Sequence, residues 1–194
     1  FTEFDHREIC KDLNIAAWDS YPLGFLQNMQ TIARGDKKLL EDCYNIGDPD
    51  FQSYHHDLYR GMGRLWIMEQ QPGPVNWARY NPIPIAGAVR MWTWEAFAHD
   101  AEVVSYFRWR QAPFAQEQMH AGLMYRNNTP AIGSHEVMQV SNEIQMLNLP
   151  ETQKSEIALL HDYEACWITE LDGQTEDVHY TRLMIDFYKS VRVN

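Results

Sequence analysis

Positive charge is what this sequence has least of: 16 Lys and Arg stand against 27 Asp and Glu, for a formal net charge of −11. No Lys/Arg stripe exists to neutralise phosphates, which excludes nucleic acid and an anionic membrane surface as partners. Cysteine is also sparse. Cys10, Cys43 and Cys166 form no C-x-x-C pair, and their odd number and wide spacing point to reduced thiols in a cytoplasmic protein. No apolar run approaches the roughly 20 residues of a membrane span, and no signal peptide is visible. A Gly-rich phosphate loop, a G-x-S-x-G elbow and a zinc-protease motif are missing too, so nucleophilic serine chemistry has no support.

Aromatic side chains, by contrast, are abundant, at 13% of 194 residues with seven Trp, in a chain that is 45% hydrophobic. That length and apolar content suit one fair-sized packed domain, or one and a half smaller ones, rather than a disordered segment. Flat rings in such number line sugar or base sites, or simply fill a core. The chain opens on Phe-Thr-Glu-Phe with no initiator Met, and is expected to be a piece of something longer.

Three segments repeat one grammar: an apolar run ending in polar or aromatic residues, a loop, then a helical pattern. The runs are Leu13 to Tyr21 (LNIAAWDSY), Leu65 to Glu69 (LWIME) and Val103 to Trp109 (VVSYFRW). The spacing predicts helices near Pro49 to Met62, with Asp48 or Asp50 as N-cap, over roughly Pro84 to His99, and over Gln116 to Met124. Successive runs at this separation imply parallel strands joined by helical crossovers, an α/β fold. Continuous apolarity in the strands implies that both sheet faces are covered. An eight-unit barrel needs about 250 residues, and only three units fit here. Beyond the loop RNNTPAIGS, the stretch HEVMQVSNEIQML reads as a helix closed by Pro150. A short strand, Ile157 to Leu160, and a helix over YTRLMIDFYKSVRV then read as a new βα unit.

Ligands of parallel α/β sheets bind at the carboxyl ends of the strands. Those ends offer Trp18, Asp19, Ser20 and Tyr21, then Glu69 and Gln70, then Phe107 to Arg110. Glu69 at a strand tip suits the carboxylate of a glycosidase, or alternatively a salt-bridged structural residue. Glu117-x-x-His120 has the spacing of a di-iron ligand pair on a helix, although only one copy is present where a bundle needs two. It equally suits hydrogen bonding to sugar hydroxyls. Adjacent His55 and His56 diverge on a helix and are expected to face solvent, while His161-Asp162-Tyr163-Glu164 reads as an acidic turn at a strand end.

At these residues the sequence resembles glycoside hydrolase family forty-two, the bacterial and archaeal β-galactosidases. The resemblance is carried by AAWDSYPLGF (Ala16 to Phe25), MEQQPGPVNWARYNP (Met68 to Pro82), the long block from Arg90 to Leu123, and LLHDYEACW (Leu159 to Trp167). It implies a partial (β/α)8 TIM barrel, about its last three βα units, over residues 1–150. Residues 151–194 would be the first βα unit of a glutamine-amidotransferase-like trimerisation domain. It implies Glu69 as nucleophile, and Tyr21, Trp77, Phe107, Glu117 and His120 as the galactoside-binding residues, which displaces the metal reading of Glu117 and His120. Arg79 stands where family members often carry Pro. The family's acid/base, an Asn-Glu pair, and an arginine that binds galactose both lie upstream of this chain. No cofactor is implied within the chain. The structural zinc of some members would also lie upstream, and Cys10 and Cys43 are poor substitutes for its ligands.

The expected function is therefore that of a retaining β-galactosidase acting on terminal non-reducing β-D-galactosides, with this chain inactive by itself. The parent would be a cytoplasmic homotrimer that binds neither nucleic acid nor membrane. The alternative is a non-catalytic sugar-binding or assembly protein on the same scaffold.

Overall fold

The structure, a computed structural model, describes residues 4–28, 37–148, 155–173, 175 and 178–193. In chain order the elements are α1 (His6–Cys10), β1 (Ile15–Ser20), α2 (Pro22–Asn28), α3 (Lys37–Asp42), α4 (Pro49–Arg60) and β2 (Arg64–Gln70). They continue with α5 (Ala88–Ala98), β3 (Ala101–Tyr106), α6 (Ile132–Met146), α7 (Tyr163–Leu171) and α8 (Tyr180–Val193). The three strands form one parallel sheet in the order β1-β2-β3, so all three carboxyl ends emerge on one side. Pro150, expected to close α6, lies outside the described residues.

Asp48, not Asp50, caps α4: its side chain accepts from the amides of Asp50 and Phe51, and Pro49 opens the helix where a missing N–H costs nothing. The helix slots between the sheet and α8. One continuous core joins Trp18, Leu65 and Ile67 of the strands to Phe51 and Tyr54 of α4, and to Tyr180 and Met184 of α8. That placement overturns the expectation for His55 and His56, which are both fully buried. With the sheet on one side and α8 on the other, α4 has almost no solvent face. His55 stacks on Trp18 at 5.2 Å and its Nδ1 contacts the Phe51 carbonyl at 2.7 Å, while Trp18 Nε1 donates to His56 Nδ1 at 3.2 Å.

Four further expectations are corrected. Among the described residues the helices cover one face of the sheet: Ala16, Trp18 and Ser20 of β1 are buried, whereas Ala17 and Asp19 are open, as is Met68 of β2, 47% exposed. Residues 116–124 form turns rather than a helix, because this stretch folds back along 108–111. Leu123 N–H donates to the Arg108 carbonyl at 2.7 Å and Met124 N–H to that of Trp109 at 2.9 Å. Gly122 is required at that approach, since a Cβ there would lie 2.6 Å from the Gln111 nitrogen. Ile157 to Leu160 forms no strand, as no neighbouring backbone lies alongside to complete a ladder among the described residues. The acidic stretch after it is helical, and Asp162 caps α7 by accepting from the amides of Glu164 and Ala165. No helix among the described residues is long and apolar enough to cross a membrane.

Candidate active site

The strand tips meet at Glu69. β2 delivers this carboxylate at its carboxyl end, and Tyr21, the residue after β1, donates its hydroxyl to Glu69 Oε2 at 2.5 Å. Burial, reinforced by that hydrogen bond and by the charges of Glu69, Asp19 and Glu117, raises the Tyr21 phenol well above its ordinary value of 10.0. The hydroxyl thus stays protonated and remains a donor to Glu69 at any working pH.

An aromatic wall surrounds this pair. The Tyr21 ring meets Trp77 edge-on at 5.5 Å and His120 at 5.8 Å, and Phe107 meets His120 at 5.0 Å. Trp77, in the loop after β2, is 41% exposed, leaving ring area free for a flat apolar surface such as a sugar face. Its position depends on Gly24 in α2, where a Cβ would lie 2.8 Å from Trp77 Cζ2. His120 is 1% exposed, and its Nδ1 contacts the Ala121 carbonyl at 3.1 Å. Its Nε2 is buried with no partner among the described residues. An orphaned buried nitrogen is costly in a finished fold and suits a site that a hydroxyl group completes. Glu117 sits further out, 48% exposed, with Arg108 Nη1 donating to its Oε2 at 3.1 Å.

The structure thus gathers Glu69, Tyr21, Trp77, Phe107 and His120 directly. Glu117 joins at the edge through Arg108 and through its charge on Tyr21. Glu117 and His120 share no helical face, since the segment bearing them is a turn. Sequence reasoning missed two supports. Gln71, fully buried, accepts from the Leu23 amide at 3.0 Å and donates to the Gly73 carbonyl at 2.8 Å, pinning the loops after β1 and β2 together. Its only signal was a second glutamine following Glu69. Gly24 left no signal beyond its place beside Pro22. Two cavities, of about 860 and 640 Å³, lie outside this cluster.

The residues present do not fit a structural zinc ion. Among the described residues no three His, Cys, Asp or Glu side chains converge, and Cys10 at the end of α1 and Cys43 after α3 stand on separate elements.

Comparison with known proteins gives this geometry its context. A family profile described as β-galactosidase, glycoside hydrolase family 42, matches residues 1–147. A β-galactosidase of a Thermus species is 52% identical over 194 residues, 99% of this chain and 30% of that protein. One from Thermus thermophilus is equally similar, 52% identical over the same span. Among solved structures, the β-galactosidase of the psychrophilic Marinomonas ef1 superposes with a TM-score of 0.92 at 46% identity, covering 98% of this chain and 30% of that one. The polyextremophilic β-galactosidase of the haloarchaeon Halorubrum lacusprofundi gives 0.92 at 37% identity, over 99% of this chain and 28% of that one. The chain spans about 30% of the length of the curated relatives it matches, and on these matches it belongs to the β-galactosidases of glycoside hydrolase family 42.

Proposed function

We propose that this chain supplies the nucleophile half of a retaining β-galactosidase, and that its parent protein hydrolyses terminal non-reducing β-D-galactosides. The observation that carries the reading is the 2.5 Å hydrogen bond from Tyr21 to Glu69 at the carboxyl ends of parallel strands, ringed by aromatic side chains. Glu69 attacks the anomeric carbon, forming a glycosyl ester as the leaving oxygen takes a proton from a glutamic acid upstream of Phe1. That residue then deprotonates the water that frees the sugar. Tyr21 holds one oxygen of Glu69 so that the other is aimed at the sugar. Trp77 stacks on the galactose ring, Phe107 packs behind it, and His120 Nε2 and Glu117 receive its hydroxyls.

The same reading assigns residues 1–150 to the last three βα units of a TIM barrel. The open sheet face bearing Ala17, Asp19 and Met68 would then face the barrel interior. Residues 151–194 would begin the amidotransferase-like domain through which a homotrimer assembles. Three unpaired thiols suit a cytoplasmic protein. No observation favours a sugar-binding protein without catalysis.

Glu69→Gln in the complete gene product tests the assignment. Hydrolysis of a nitrophenyl β-galactoside should be abolished, and turnover at the unmodified rate would sink it.

A further inference from the structure

One residue grips both ends of the turn that carries Glu117 and His120. Arg108, just after β3, reaches Glu117 twice: Nη1 donates to the carboxylate Oε2 at 3.1 Å and Nη2 to the main-chain carbonyl at 3.0 Å. That carbonyl also accepts from the His120 amide at 3.0 Å, closing the turn that delivers the imidazole. Beyond His120 the chain returns to Arg108, whose own carbonyl accepts from the Leu123 amide at 2.7 Å. The segment is thus tied at its start by the Arg108 side chain and at its end by the Arg108 main chain, which sets Glu117 in register with His120.

A single ion pair near a surface contributes little, since solvent screens it and two long side chains must be ordered to make it. Arg108 differs in geometry. Its guanidinium lies over the Phe107 ring, 5.2 Å from the centroid, its Nε is buried, and the side chain is 25% exposed. Phe107 in turn meets the His120 ring edge-on at 5.0 Å. The arm is therefore held before it meets Glu117, and its planar fork spans two oxygens of one residue, a carboxylate and a carbonyl. A lysine, one point charge on a flexible stem, cannot reproduce that grip. Charge-assisted hydrogen bonds of this kind fix direction as well as distance.

We propose that Arg108 is a positioning residue for sugar recognition: it fixes the direction in which the Glu117 carboxylate meets a hydroxyl of the galactose ring. This rests on the reading of Glu117 as a group that receives such a hydroxyl. The Glu117 side chain, half exposed, would otherwise be ordered only at the moment of binding, at the expense of affinity, and Arg108 orders it beforehand. The consequence is selectivity more than stability. A site built to hydrogen-bond a hydroxyl rejects the analogue lacking it as long as its polar group is held in place.

The test is kcat/KM in the complete gene product for a nitrophenyl β-galactoside and for the analogues that lack one ring hydroxyl each. Wild type is compared with Glu117→Gln, Arg108→Gln, Arg108→Lys and the Arg108→Gln/Glu117→Gln double variant. Ratios of variant to wild type on each substrate cancel the intrinsic reactivity of the analogue. Glu117→Gln should lose roughly 10-fold on the parent galactoside and almost nothing on the analogue without its hydroxyl. Arg108→Gln and Arg108→Lys should show the same pattern, roughly 10-fold down on the parent and within about twofold of wild type on that analogue. The double variant should lose clearly less than the product of the two single losses. An Arg108→Gln loss of equal size on every analogue overturns the proposal, as do no loss on the parent, full activity in Arg108→Lys, losses that multiply in the double variant, or failure of both Arg108 variants to fold. No hydroxyl-selective loss in Glu117→Gln refutes the reading of Glu117 as a sugar-binding group, and the proposal with it. A selective loss there beside a uniform loss in Arg108→Gln refutes the role of Arg108 alone.

Discussion

Replacing Tyr21 with Phe removes one hydroxyl and little else. The ring keeps its edge contacts with Trp77 at 5.5 Å and His120 at 5.8 Å, and the side chain, buried in the wild type, leaves no cavity larger than an oxygen atom. What disappears is the 2.5 Å bond to Glu69 Oε2. Hydrogen bonds to charged groups contribute about 1.5–3 kcal/mol, and a loss near 2 kcal/mol at the transition state is roughly 30-fold in rate. Because the bond orients the attacking carboxylate, the loss should fall mainly on kcat. Steady-state kinetics of Tyr21→Phe in the complete gene product would read the loss and its division between kcat and KM. Turnover within about twofold of wild type would refute the claim that this hydroxyl organises the nucleophile.

Gly24→Ala should raise KM several-fold while kcat changes less, because the added Cβ meets the Trp77 indole and tilts the surface on which the sugar stacks. A KM within error of wild type would show that the indole yields without consequence. Acid should destabilise the helix layer. Burial first of all holds His55 down at about 3 and His161 at about 4, and His56 well below 6.5. These imidazoles are neutral in the fold and titrate near 6.5 once unfolded, so their contribution is complete above that pH and is lost as pH falls toward the folded values. For His55 this amounts to about 2 kcal/mol by pH 5, with His56 and His161 acting in the same direction. Thermal melts of the complete protein between pH 7 and 5 should show Tm falling, with a shallower fall for His55→Gln; a flat Tm would contradict the assignment. Expressed alone, the 194-residue chain should aggregate through the uncovered sheet face at Met68 and its neighbours. A soluble monomer with a cooperative melt would refute that.

Much of this molecule was legible along the chain. Apolar runs ending in polar or aromatic residues marked the three strands, Asp48-Pro49 marked the start of α4, and helical apolar spacing marked α6 and α8, because local propensity and one-dimensional patterning decide where such elements form. Glu69 was legible for the same reason: an apolar strand that ends in a carboxylate must present it at the rim. The three-residue spacing of Glu117 and His120 misled, since it signals a shared face only if the backbone is helical, and pairing of 121–124 with partners remote in sequence overrode that local tendency. His55 and His56 look polar in sequence, yet both pack against Trp18 of β1, a partner distant in sequence, and are fully buried there.

By itself, then, the sequence determined the three parallel strands, helices α4, α5, α6 and α8, the α/β class and the carboxylate at the second strand tip, all properties set by neighbours a few residues away. Only the tertiary structure decided which groups face Glu69. The hydroxyl of Tyr21, the room that Gly24 leaves for Trp77 and the orphaned nitrogen of His120 each depend on backbone register between segments distant in sequence. Register is fixed by packing and by ladder hydrogen bonds between strands, and no local pattern encodes it.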